Sequence, residues 1–221
     1  MKPSNELTRR RLLAALAAGA VLPATPVWAQ TSGPVAFPYY SGEQALQGLY
    51  GLHLPQLART FETAAQALSV AARTHCAGPA TPAPLLDAWR QALLAWQALA
   101  TPGLGPVIER RSQRQIDFWP ARPALLDKAL AHAPKTLADM ERIGTPAKGF
   151  PGMERLLAGQ PAGPHCPYLV LIAEGIEAEA RALREGFDAL AARDWTADED
   201  AARKAKAQLK GDFPAIWIYH E

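Results

Sequence analysis

The sequence predicts an all-α fold, an up-down helical bundle, and three observations carry that prediction. About a fifth of the 221 residues are alanine, the best helix former, while Tyr and Phe number only five and six. Apolar residues recur at spacings of three and four over long stretches, the period that gathers them on one helical face. No stretch alternates apolar and polar residues in the manner of a strand before the last few positions. With 49% of its residues apolar, the chain has material for a sizeable core and falls outside the disordered class.

The chain opens with Thr8-Arg9-Arg10-Arg11-Leu12-Leu13, an apolar run to Leu22, and the triplet Val27-Trp28-Ala29. That order resembles a twin-arginine export signal, so residues 1–29 are expected to be a signal peptide cleaved after Ala29, leaving 30–221 as a periplasmic chain. The apolar run is shorter than the roughly 20 residues that span a bilayer, and no later stretch reaches that length, so no membrane span is expected in the mature chain. The formal charge of +2 belongs to this leader: without Lys2, Glu6, Arg9, Arg10 and Arg11, 19 basic and 20 acidic residues remain. The mature chain has no basic excess that would suit nucleic acid, which is therefore not an expected partner.

Helices follow in order. Leu46, Leu49, Tyr50, Leu57, Phe61, Ala65, Leu68 and Ala72 predict a long first helix ending near Cys76, with Pro55 kinking it or opening its main segment. After the proline-containing loop Ala77–Pro84, the stripe Leu85, Trp89, Leu93, Trp96 and Leu99 predicts a second helix with its tryptophans in the core. A third helix is expected over Pro123–His132 and a short one around Met153–Leu157. A long one is expected from Pro167, with Leu169, Ile172, Ile176, Leu183, Phe187 and Leu190 inward. Thr196-Ala197-Asp198-Glu199 reads as a capping box opening a last, polar helix to Leu209. The end, Gly211–Glu221, is apolar and aromatic, and admits a truncated reading frame, a segment covering the core or a docking segment.

Two cysteines, Cys76 and Cys166, lie in the mature chain. In an oxidising compartment the simplest reading is one disulfide closing a loop of about 90 residues. Two buried thiols, or a metal pair helped by the preceding His75 and His165, are the alternatives. His53, His75, His132, His165 and His220 have no histidine at helical spacing and read as surface or hydrogen-bonded residues.

Two segments depart from helix logic. One runs from Thr101 to Arg122 and holds the Gly105-Pro106 corner, the basic Arg110, Arg111 and Arg114, and Ile116-Asp117-Phe118-Trp119-Pro120. The other is Lys148-Gly149-Phe150-Pro151-Gly152-Met153-Glu154-Arg155-Leu156-Leu157. With the cysteine preceding Tyr168-Leu169, these blocks resemble the imelysin-like family of bacterial cell-envelope proteins over about residues 43–192.

The resemblance implies helical bundles, a periplasmic or cell-surface place, and iron-linked function with envelope iron-uptake proteins as partners. It also implies a longer chain with a second bundle, part of which this chain is expected to lack. The family's proposed metal site is a G-x-H-x-x-E motif, the basis of its description as metallopeptidases. Here Gly149 and Glu154 are kept and the histidine position is Pro151, which has no side-chain donor. One carboxylate cannot hold a catalytic zinc, so a non-enzymatic binding or accessory module is expected, with a metal-dependent peptidase as the alternative. No catalytic residue is assigned, and no cofactor is required. The candidate metal ligands are Glu154 and Asp117, joined by His53 or Glu109, and iron is the metal that such oxygen ligands would suit if three or more converge. The competing reading pairs Glu154 with Arg114 or Arg122, and the arginines offer a place for a carboxylate-bearing ligand such as an iron chelate.

Overall fold

The computed structural model of the protein describes residues 41–78, 81–159 and 164–212. The expected signal peptide, the Phe213–Glu221 part of the tail and His220 lie outside the described residues.

Every regular element among the described residues is helical. Helix α1, Gly42–Gly48, starts at a capping box in which Ser41 Oγ accepts from the Gln44 amide and Gln44 Oε1 accepts from the Ser41 amide. A π-helical turn, Leu49–His53, joins it without a break to α2, Leu54–Ala77, whose second residue is Pro55. Proline has no amide hydrogen and its ring crowds the preceding turn, and the wider π turn accommodates both. Helix α3 spans Ala83–Ala100, with Pro84 in its first turn. The two apolar stripes read from the sequence meet here. Phe61 and Trp96, both fully buried, bring their ring centroids to 5.5 Å. Trp89 is only partly buried.

The 101–122 segment folds into two single turns, α4 (Pro106–Glu109) and α5 (Ser112–Ile116), followed by α6, Pro123–His132, which matches its expected bounds. A further short helix, α7 (Leu137–Glu141), and a 3₁₀ turn, Thr145–Ala147, lead into α8, Gly149–Ala158. Helix α8 begins four residues before the expected Met153. Its Pro151 falls in the first turn, where a missing amide hydrogen has no intrahelical partner to lose.

The 26-residue α9, Cys166–Ala191, packs along α2, which in turn packs on α3. Arg184 Nε to Glu62 Oε2 at 2.9 Å and Arg59 Nη1 to Asp188 Oδ1 at 2.6 Å fix that contact at its rim. The last helix, α10, is Glu199–Asp212. Its cap corrects the expected box: Asp198 Oδ1 accepts from the Ala201 amide at 2.9 Å, whereas Thr196 bonds Asp194 in the turn before. Helix α10 reaches α1 through the Lys206–Glu43 ion pair, and Trp195 stacks on Tyr50 at 4.8 Å.

Cys76 and Cys166 form a disulfide that ties the end of α2 to the start of α9. No described helix is long and apolar enough to cross a membrane.

Candidate functional site

Gly149 decides where the second irregular block lies. Its φ is +68°, and a Cβ there would stand 2.2 Å from the Ile116 carbonyl oxygen, so only glycine lets the first turn of α8 rest on the end of α5. Tyr168 of α9 holds the approach from the other side, its buried hydroxyl donating to the Ala147 carbonyl at 2.7 Å. Burial also pushes the Tyr168 phenol well above the ordinary tyrosine pKa. Asp117 anchors the first block, accepting at Oδ2 from Trp96 Nε1 at 2.9 Å. The two blocks that stood out in the sequence thus meet at the Gly149–Ile116 contact, and a hydrogen bond to α3 and another to α9 hold them on the long helices.

Lys148 immediately precedes α8, is half-buried, and donates from Nζ to the Met140 carbonyl of α7 at 3.2 Å. Burial holds its ammonium below the ordinary lysine pKa, and the neighbouring Glu141 charge opposes that shift. Arg110 supplies a second cation, donating from Nε and Nη2 to the two oxygens of Glu179 at 3.0 and 2.7 Å. Glu179 is buried in α9, and Ser112 Oγ donates to it at 2.6 Å, so each charge of this pair has its partner. Between Lys148 and this pair lies a cavity of about 220 Å³ whose walls include Ile116, Met140, Leu171 and Ile172.

The expected site residues are distributed unevenly around this cavity. Lys148 and Gly149 line it, together with Arg110, Gln115, Glu141 and Glu179. Glu154 does not: it is exposed and has no hydrogen-bond or ion-pair partner among the described residues, so the expected pairing with Arg114 or Arg122 does not form. Pro151, in place of the motif histidine, is buried. Among the described residues no three His, Cys, Asp or Glu side chains are grouped so as to hold a metal ion, so neither Glu154 nor Asp117 belongs to such a group there. His53 and Glu109 are exposed.

Gly105 and Pro106 form the corner before α4, with Gly105 at φ +53°. Arg114 and Pro120 are exposed, and Trp119 is 68% exposed. His75 corrects the reading of the histidines as surface or hydrogen-bonded residues. It continues the Phe61, Ala65, Leu68, Ala72 stripe, is buried, and neither ring nitrogen has a hydrogen-bond partner among the described residues.

Arg110, Ser112 and Glu179 were not singled out together by the sequence. A signal existed: Glu179 falls on the α9 stripe Ile172, Ile176, Leu183, Phe187, where a solvated acid has no place. Its partner, 69 residues earlier, carries no local mark.

Comparison with known proteins gives the chain a family and a structural neighbour. The profile of the imelysin family, peptidase family M75, matches residues 54–211, a window displaced toward α10 from the 43–192 that the motif blocks suggested. A crystal structure of an imelysin-like protein from Psychrobacter arcticum 273-4 resembles the chain with a TM-score of 0.59 at 15% identity, over 77% of this chain and 61% of that one. The likeness is one of fold, and the chain spans less than two thirds of that protein's length. No curated protein is significantly similar to the chain.

Proposed function

The chain belongs to the imelysin family, and on that premise we propose that it is an exported, non-enzymatic binding module serving iron-linked function in the cell envelope, with envelope iron-uptake proteins as its partners. The observation that carries this reading is the division of the motif. The half that lines a cavity, Lys148-Gly149, supplies a cation and a tight backbone contact, while Glu154 faces solvent and Pro151 offers no donor. A binding pocket needs fixed polar groups on apolar walls, which the cavity has. A hydrolytic zinc centre needs three protein ligands and an open position, and the motif as it stands here provides one.

Export is supported by the twin-arginine pattern of residues 1–29 and by the Cys76–Cys166 disulfide, a bond that persists in oxidising compartments. The iron link is supported by family membership.

The test is made in the native host. The chain is expected in the periplasmic fraction, and its deletion is expected to slow growth under iron limitation but not in iron-replete medium. Equal growth under both conditions would overturn the iron link. Peptide turnover by the purified chain that disappears with chelator and in Glu154→Ala would instead establish the peptidase.

A further inference from the structure

The cavity beside Lys148 has charge, walls and an opening that together specify a class of ligand. Its charges are not equivalent. Arg110 and Glu179 neutralise each other through two hydrogen bonds, and Ser112 completes the carboxylate. Glu141 is exposed, so water screens it. Lys148 is the remaining charge. It forms no ion pair among the described residues, and of the three donors of its ammonium one goes to the Met140 carbonyl, which leaves capacity for a ligand in the space it lines. A half-buried cation whose acidic neighbour, Glu141, is exposed and makes no ion pair with it among the described residues, set against Ile116, Leu171 and Ile172, is an incomplete electrostatic arrangement that an anion with an apolar body would complete.

Gly175 is a second and independent observation. It stands in the interior of α9, where glycine weakens a helix relative to alanine. A Cβ there would meet nothing within 4 Å, so no neighbour requires its absence. It lines the same cavity. The missing side chain therefore keeps the space open.

We propose that this cavity binds a small amphiphilic carboxylate, its head group on Lys148 and its apolar body along Ile116, Leu171 and Ile172. A volume of about 220 Å³ is below that of pockets for drug-sized ligands and sets the small size. With Glu179 paired to Arg110, Lys148 is the one cation of the lining left to match a ligand charge, which favours a monocarboxylate over a phosphate dianion. The proposal rests on the binding-module reading above and adds the ligand's chemistry.

Titration calorimetry of the full, oxidised chain with hexanoate tests it, with 1-hexanol and hexylammonium as matched probes. Hexanoate is expected to bind one per chain and about tenfold or more tighter than 1-hexanol, the size of one charge-assisted hydrogen bond. Lys148→Met should erase that preference. Gly175→Leu, which fills the opening without touching the charge, should weaken all binding while the circular dichroism spectrum is unchanged, and it keeps the proposal open to refutation if Lys148→Met does not fold. Equal affinity for hexanoate and 1-hexanol, preference for hexylammonium, undiminished binding by either variant, or no binding at millimolar hexanoate would each overturn it. Failure here with a growth defect under iron limitation removes the ligand class alone. Hexanoate binding without such a defect removes the iron link and leaves the ligand class standing.

Discussion

At Gly149 the backbone adopts φ +68° and the Ile116 carbonyl oxygen lies 2.2 Å from where a Cβ would be, so alanine is opposed twice, by conformation and by contact with main chain. The left-handed backbone costs roughly 1–2 kcal/mol for an L residue, and overpacking against a fixed carbonyl costs roughly 1–3 kcal/mol more. Gly149→Ala is expected to lower the unfolding free energy by about 2–5 kcal/mol, read from urea denaturation. At Gly175, in helical backbone with open space around it, the sign reverses. Gly175→Ala is expected to raise stability by about 0.5–1 kcal/mol. Two glycines of one cavity thus separate by their effect: a stabilising Gly149→Ala would refute the contact with Ile116, and a destabilising Gly175→Ala would refute the open space.

At the scale of elements, the long helices and the short α8 were legible, and the helices of four or five residues were not. The stripes of α2, α3 and α9 run for several turns, so periodicity located them, and α6 was bracketed by Pro123 and His132. Helices α4, α5 and α7 have four or five residues each, too few for a period to repeat, and they form because tertiary contacts hold them. The site divides likewise. Lys148 and Gly149 stood in an irregular block that the sequence marked, whereas the Arg110–Glu179 pair joins segments 69 residues apart.

The docking of α10 on α1 carries a pH signature of its own. Lys206 of α10 hydrogen-bonds Glu43 of α1 and, with backbone and Ser41 contributions, lowers the Glu43 pKa from 4.5 to about 2. A carboxyl whose pKa is depressed on folding contributes stability above its unfolded value and loses it as pH falls through the folded one. The α1–α10 contact is therefore expected to be intact at pH 7 and to weaken progressively between pH 4.5 and 2. Fluorescence of Trp195, stacked on Tyr50 in that region, follows the change. Glu43→Gln should remove the acid-dependent part of the transition, and an identical acid profile in that variant would assign it to other groups.

For the molecule as a whole, the Cys76–Cys166 bond is the covalent constraint on the two longest helices, α2 and α9, whose packing forms the centre of the core. Its sulfurs are 90 residues apart in sequence. Cross-linking a loop of that length removes chain entropy from the unfolded state equivalent to roughly 4–5 kcal/mol, against a total stability for such domains of about 5–15 kcal/mol. The folded contacts between α2 and α9 do not depend on the bond: Ala58, Phe61, Ala65, Ile176, Ala180 and Leu183 are buried along the helices beyond it. The reduced protein is therefore expected to keep its helices and its fold at neutral pH while losing about 4 kcal/mol, a fall of roughly 2 M in the urea midpoint at the slope usual for small proteins. The double variant Cys76→Ser, Cys166→Ser should behave as the reduced chain does. Loss of helical circular dichroism on reduction without urea would mean that the bond, and not the apolar packing of α2 on α9, holds the bundle together. An unchanged midpoint would mean that the unfolded chain is already confined without it.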